Sequence, residues 1–552
     1  MLEALHKGED SMKTQWQTAT ERALLLKQLV AHQSVTHSEG EQSFPYLVKD
    51  QLMSLDYFKA RPEQIHLVPT DDGRHAVVAL YQGATSHKAI TCISHFDTVG
   101  VEDYGLYQSE AFDMDALTAT FQAHVEDFDH EVQADILSGQ YLFGRGSMDM
   151  KPGLMLHMSL IEKAIIEQWD INLILITVPD EEVTSKGMHA AVAYLDELCQ
   201  QHQFDIVLHL NSEPTFQQQG NDIHYFYSGS IGKIMPGVFV HGRETHVGTP
   251  ALGLSSNFVM SYILQEIEYS TRFKETFEGE VTPFPVTLKM NDMKHHYDVQ
   301  TPFRTVALFN LFLFKQNAND VFQQFNAAVK EGMNKAWEAY QQRMKDEDVA
   351  PMPQLQLMTY QELYQYACQH HGKRAVQHML DQAIQNEQEP HAQSIMIIDA
   401  LIRLCKSLGP VVITFFAPPY YPATNASFHP LVEAIKQTIT DTAKQQCNRV
   451  SKRIHYFNGI SDLSYVAPSP NGSGFDAFRD HTPVFGQTYQ IPFEAIERIQ
   501  APFLNCGPMG KDAHKVTERV HQQSAFEELP ILLETIIQTH FLNNTNYVDG
   551  IS

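Results

Sequence analysis

The chain has 552 residues, 43% hydrophobic and 19% charged, a composition that excludes a mostly disordered protein. At about 150 residues per domain this length predicts two to four units. Lys and Arg number 39 against 66 Asp and Glu, a formal net charge of −27, which argues against generic nucleic-acid or anionic-membrane partners.

Residues 15–34 and 42–56 read as amphipathic helices, and strand-like runs begin at His75 and Lys88. The stretch 101–140 has ten Asp or Glu and no Lys or Arg, so it is expected to be a solvated surface insertion. Helix 152–168, apolar strand 171–178, helix 188–200 and apolar strand 205–211 follow. Helices alternating with fully apolar strands predict an α/β fold with a buried, mixed but largely parallel central sheet. From about residue 229 the texture changes to a strand, a helix near 255–268, a strand at 305–315 and a long helix over 319–345. The segment 346–408 is Gln- and His-rich and predicts helices without strands. Strand 411–421, helix 429–446 and a final helix near 519–539 complete the chain. The expected organisation is a catalytic domain over 1–229 and 423–552, with an α+β lid inserted at 230–422 and lengthened by the helical extension 346–408.

The six cysteines show no Cys-x-x-Cys pair and predict free thiols in a reducing cytoplasm. The N-terminal residues contain no apolar signal region. The longest apolar runs, 171–179 and 411–418, fall well below the ~20 residues of a membrane span. A cytoplasmic location is expected.

Five short motifs carry chemistry. His95 and Asp97 end a strand two residues apart, hence on one side of it, where a carboxylate can orient an imidazole toward a metal. Alone, such a pair is more often structural. Asp149 follows the glycine-rich Gly144-Arg145-Gly146 and precedes Lys151 and Gly153; the spacing fits no phosphate-binding loop, and Asp149 alone reads as a helix cap. Asp180, Glu181 and Glu182 follow a buried strand, the end at which ligands of open α/β sheets gather. Glu213 precedes Pro214 after another apolar strand. His514 closes the loop Gly507-Pro508-Met509-Gly510 with Glu518 one turn later.

Together and in this order the five motifs resemble the M20 family of metallopeptidases and aminoacylases, along nearly the whole chain. Ser228–Lys233 (SGSIGK), the Glu244–Pro250 stretch (ETHVGTP) and LFNLFLF at 308–314 are similar to its arginine-utilisation RocB subgroup. The resemblance implies a zinc-peptidase-like fold with an inserted lid, and two divalent ions: zinc first, with manganese or cobalt also suited to these donors. His95 and Glu213 would hold one ion, Glu182 and His514 the other, and Asp149 both. Asp97 would orient His95, Glu181 would be the general base, and His246 would donate to the oxyanion from the lid. Gly459, Ser461 and Asp462 resemble a substrate-facing loop. A small molecule or short peptide is the implied substrate, arginine catabolism the implied setting, and a homodimer through the lid the implied partner.

One position departs from the family pattern. The lid arginine that clamps a substrate carboxylate corresponds to Phe312, and Arg304 lies in another register. Amide hydrolysis in an amino-acid derivative or short peptide is therefore set beside two alternatives: hydrolysis of a ureido or amidino C–N bond, and a non-catalytic binding protein on the same fold.

Overall fold

The longest apolar runs become the central strands, because a strand buried on both faces has no place for polar side chains. A computed structural model describes residues 14–215, 223–294, 296–350, 352–387, 389–467 and 474–542. The chain forms two compact units, one of Met1–Gly229, Ala426–Phe457 and Glu494–Ser552, the other of Ser230–Asn425 and Asn458–Phe493. Residues 458–493, with the Gly459–Asp462 loop, thus group with the second unit and not with the rest of 423–552.

The first unit is built on an eight-stranded mixed sheet. Strand Lys88–His95 lies at its centre, parallel to Asn172–Val178 on one side and Asp205–Asn211 on the other. Phe503–Asn505 extends the parallel set beyond Asp205–Asn211. His75–Tyr81 and Ile65–Pro69 add antiparallel strands at one edge. Helices Ala19–Ala31, Glu39–Met53, Lys151–Glu167 and Leu529–Ile537 contribute apolar side chains to the main core cluster. Helix Ala19–Ala31 starts at a capping box between Thr18 and Glu21. Helix Lys151–Glu167 starts with Pro152 in its first turn, where the missing N–H costs nothing.

Two expectations for this unit need correction. The acidic stretch 101–140 is not simply solvated. Tyr104, Phe112, Leu117, Phe121, Val132 and Ile136 join Tyr141 and Phe143 in a separate apolar cluster, because the apolar residues recur at helical spacing among the acids. The final helix does not begin near 519. Arg519–His521 is a strand, paired with Gly510–Lys511 on one side and Tyr141–Phe143 on the other.

The second unit carries a five-stranded sheet ordered Val286–Asp292, Arg304–Leu313, Gly232–His241, Val411–Tyr421 and Gln356–Thr359. Helices Ser256–Ile267 and Ala318–Asp346 pack on one another. The extension 346–408 forms helices Tyr360–His371, Lys373–Ile384 and Pro390–Leu404. It also holds the unexpected strand Gln356–Thr359, parallel to Val411–Thr414. Among the described residues no helix is long and apolar enough to cross a membrane.

Candidate active site

The parallel strands bring their C-terminal ends to one edge of the sheet, which is where His95–Asp97, Asp180–Glu182 and Glu213 follow them. This is the end at which open α/β sheets build sites. The loop after Phe503–Asn505 runs beside Glu213. A Cβ on Gly507 would stand 2.1 Å from the Glu213 carbonyl oxygen, so only glycine allows that close approach.

Asp149 is the centre of the arrangement. Its Oδ1 lies 3.1 Å from His95 Nε2, and its Oδ2 lies 3.3 Å from His514 Nε2. His95 Nε2 is also 3.6 Å from Glu213 Oε1 and 3.8 Å from Glu181 Oε2. His514 Nε2 lies 3.1 Å from Glu182 Oε1. The structure therefore gathers His95, Asp149, Glu181, Glu182, Glu213 and His514 in the first unit. His95 is 1% exposed, whereas the His514 side chain is 48% exposed.

Asp97 holds the acidic turn in place. Its Oδ1 accepts the Glu181 N–H at 3.1 Å, and its Oδ2 accepts the Glu182 N–H at 3.4 Å and the Thr36 hydroxyl at 3.0 Å. His95 Nδ1 bonds the Asp97 main-chain carbonyl at 3.1 Å, with the carboxylate Oδ1 at 3.6 Å. The orienting bond to His95 thus comes chiefly from the Asp97 backbone, and the carboxylate serves the turn.

Sequence reasoning missed two supports, because both join residues far apart in the chain. Asp180 has φ +70°, a left-handed conformation that Asp tolerates better than most residues. Its carboxylate accepts Arg74 Nη1 at 2.8 Å, and its N–H donates to Glu41 Oε1 at 3.0 Å. Arg74 Nη1 also bonds Glu41 at 2.9 Å, and all three residues are buried. The second support is Glu518, which accepts Arg145 Nη1 at 2.6 Å and the N–H groups of Met148 and Asp149 at 3.2 and 3.3 Å. The acid at 518 had been visible one turn past His514; its buried arginine partner had not.

The electrostatics call for a cation. Burial opposes the charge on His95, but Glu213, Glu181 and Asp149 hold its pKa well above the ordinary histidine value. Hydrogen bonds to Asp149 and Glu182 raise His514 to about 11. Burial disfavours the Asp149 carboxylate, yet the two imidazoliums keep its pKa well below the usual range. Burial and the Asp149 charge push Glu182 up. Each imidazole thus keeps a proton among buried carboxylates, the place a divalent cation would take. Donors about 2.0–2.2 Å from a tetrahedral ion stand roughly 3.3–3.6 Å apart; the pairs His95–Asp149, His95–Glu213, His514–Glu182 and His514–Asp149 span 3.1–3.6 Å. His95, Asp149 and Glu182 each offer an atom within 4.8 Å of the others. The donor set fits such an ion.

The remaining predicted residues lie in the second unit. His246 is on an exposed turn, where its Nδ1 accepts the Gly248 N–H at 3.0 Å. Ser461 and Asp462 are buried and Gly459 is half-buried; the Ser461 hydroxyl accepts the Leu463 N–H at 3.2 Å. Phe312 pairs across from Lys233. Arg304 bonds Asp399 of the helical extension at 2.6 Å, so its guanidinium is engaged within the second unit.

The description of peptidase family M20/M25/M40 matches residues 111–483. The uncharacterized protein YqjN of Bacillus subtilis (strain 168) is 36% identical over 530 residues, covering 95% of this chain and 96% of that protein. Protein RocB of the same strain is 30% identical over 539 residues, covering 92% and 93%. Among solved structures, the M20 family metallo-carboxypeptidase Sso-CP2 of Sulfolobus solfataricus aligns with TM-score 0.55 at 11% identity, over 94% of this chain and 98% of that one. Human carnosine dipeptidase 1 aligns with TM-score 0.52 at 9% identity, over 94% and 96%; at such identities the likeness is one of fold. The five motifs, the mixed α/β fold and these relatives agree, and the chain belongs to peptidase family M20/M25/M40 as a metallohydrolase acting on peptides or amino-acid derivatives.

Proposed function

We propose that the protein hydrolyses an amide bond in a small amino-acid derivative or short peptide with two divalent ions, zinc first among them. His95 and Glu213 would hold one ion and Glu182 and His514 the other, with Asp149 shared. The observation that carries this reading is the pair of Asp149 oxygens, one facing each imidazole. Ions held there supply Lewis acidity, polarising a carbonyl and lowering the pKa of a water. Glu181 takes the proton of the attacking water and returns it to the leaving amine. Asp97 keeps Glu181 and Glu182 in place through their N–H groups. His246 is assigned the hydrogen bond to the developing oxyanion, and Gly459, Ser461 and Asp462 a role toward substrate. Arginine catabolism enters this reading as context only.

A homodimer through the second unit belongs to the same proposal. Strand Val286–Asp292 is an edge of its sheet, with Leu288 and Met290 about half exposed, and an open edge is a template for pairing.

The test is Glu181→Gln, assayed on dipeptides and N-acyl amino acids. It should retain its ions and lose about 10²–10⁴-fold in kcat; undiminished turnover would overturn the assignment. Phe312 and the engaged Arg304 favour a second reading, a ureido or amidino C–N bond, which release of ammonia would identify.

A further inference from the structure

Lys511 and Arg519 are directly opposite one another at the base of the hairpin that carries His514. Two cations facing each other across an antiparallel pair repel, so the base of this hairpin is held from outside. Asp135, on helix His130–Ser138 of the acidic stretch 101–140, lies against both. Its Oδ2 accepts Lys511 Nζ at 2.7 Å and Arg519 Nε and Nη2 at 2.9 and 2.7 Å. Arg519 Nη1 then reaches the Asp512 carboxylate and the Thr517 carbonyl, both within the turn. That turn holds two non-glycine residues in left-handed conformations, Asp512 at φ +60° and His514 at φ +66°, which neighbours must maintain against their cost. Asp135, Lys511 and Arg519 are each at most 6% exposed, and Arg519 and Lys511 also lie over the Tyr141 ring. The same stretch contributes Asp103, 3.2 Å from Arg145 Nη2, on the arginine that binds Glu518 behind Asp149.

We infer that Asp135 is a positioning residue for His514: the acidic stretch 101–140 braces the hairpin and so sets the affinity of one of the two metal positions. This rests on the ligand assignment made above. Asp135 touches neither ion nor substrate. It bridges Lys511 and Arg519, with Glu131 also 3.1 Å from Lys511 Nζ, and Arg519 carries that constraint into the turn.

Zinc binding measured by equilibrium dialysis tests the inference on the full chain, comparing wild type with Asp135→Asn, Asp135→Glu and His514→Ala. Two sites are expected in wild type. Asp135→Asn should weaken one site by about ten- to a hundredfold and leave the other unchanged, the unchanged site reporting an intact fold. His514→Ala should weaken the same site, and Asp135→Glu should recover part of the loss. The double variant Asp135→Asn/Lys511→Met, which removes one of the two facing cations and so their mutual repulsion, should lose less than Asp135→Asn. Wild-type binding by Asp135→Asn while His514→Ala loses one site would overturn this inference alone. Equal weakening of both sites in Asp135→Asn would also overturn it, marking a general structural role. Two undisturbed sites in His514→Ala would overturn the ligand assignment and this inference with it.

Discussion

The two halves of the site are built differently. His95 ends the central strand of an eight-stranded sheet and is fully enclosed. His514 sits on a turn between strands of two and three residues, with about half its side chain in solvent. One half inherits its geometry from a buried central strand; the other stands on a hairpin whose base is held by Asp135, from helix His130–Ser138. In the proposed ligand set, a buried imidazole and a half-exposed one face the two oxygens of a single carboxylate, Asp149. The difference also teaches where substitutions hurt stability and where they hurt only ion binding.

The largest expected effect separates the halves directly. In the ion-free protein His95→Ala removes the cation facing buried Asp149, Glu181 and Glu213, a loss of about 3–5 kcal/mol for breaking a buried pair. His514→Ala, at a half-exposed position, should cost less than about 1 kcal/mol. Denaturant titration in the presence of a chelator reads both, and equal losses would erase the distinction. Next comes Asp97→Asn, which reaches both halves because Asp97 accepts the N–H groups of Glu181 and Glu182 beside His95. Both ion affinities should fall together, by about ten- to a hundredfold; a loss confined to one ion would place Asp97 in one half only. The smallest effect is one of pH. Both imidazoles hold protons above the ordinary histidine range, and ligation requires the neutral ring. Ion uptake near neutrality should therefore release about one proton per histidine, and affinity should rise about tenfold per pH unit for each. For His514 the rise continues above neutrality, because Asp149 and Glu182 hold the proton of the ion-free ring. Calorimetry in buffers of differing ionisation enthalpy measures this, and proton-free binding would contradict the charge states described.

Part of the candidate site is locally encoded. The apolar strand at 171–178 and the acids after it are contiguous in sequence, so the strand end pointed at Glu181 and Glu182. His95, Asp149, Glu213 and His514 came from the resemblance, since each alone reads as a structural or surface residue. What stayed hidden was non-local. The strands Gly510–Lys511 and Arg519–His521 are too short for alternation to appear, so Arg519 read as the start of the last helix. Strand Gln356–Thr359 exists only because Val411–Thr414 lies beside it. In 101–140 the count of acids masked an apolar periodicity, and Asp135 was indistinguishable from its solvated neighbours. Arg74 and Glu41 gave no signal because their meaning comes from Asp180, over a hundred residues away.

His95 and His514 are more than four hundred residues apart in the sequence, and that distance has a consequence for biosynthesis. At about 5–20 residues per second, a ribosome needs roughly 20–80 s to pass from one to the other. During that interval the nascent chain can present His95, Asp149, Glu181, Glu182 and Glu213, but no hairpin to complete the second half. With the proposed ligand set, the second ion position is completed only once the chain has been translated past His514, more than four hundred residues after His95.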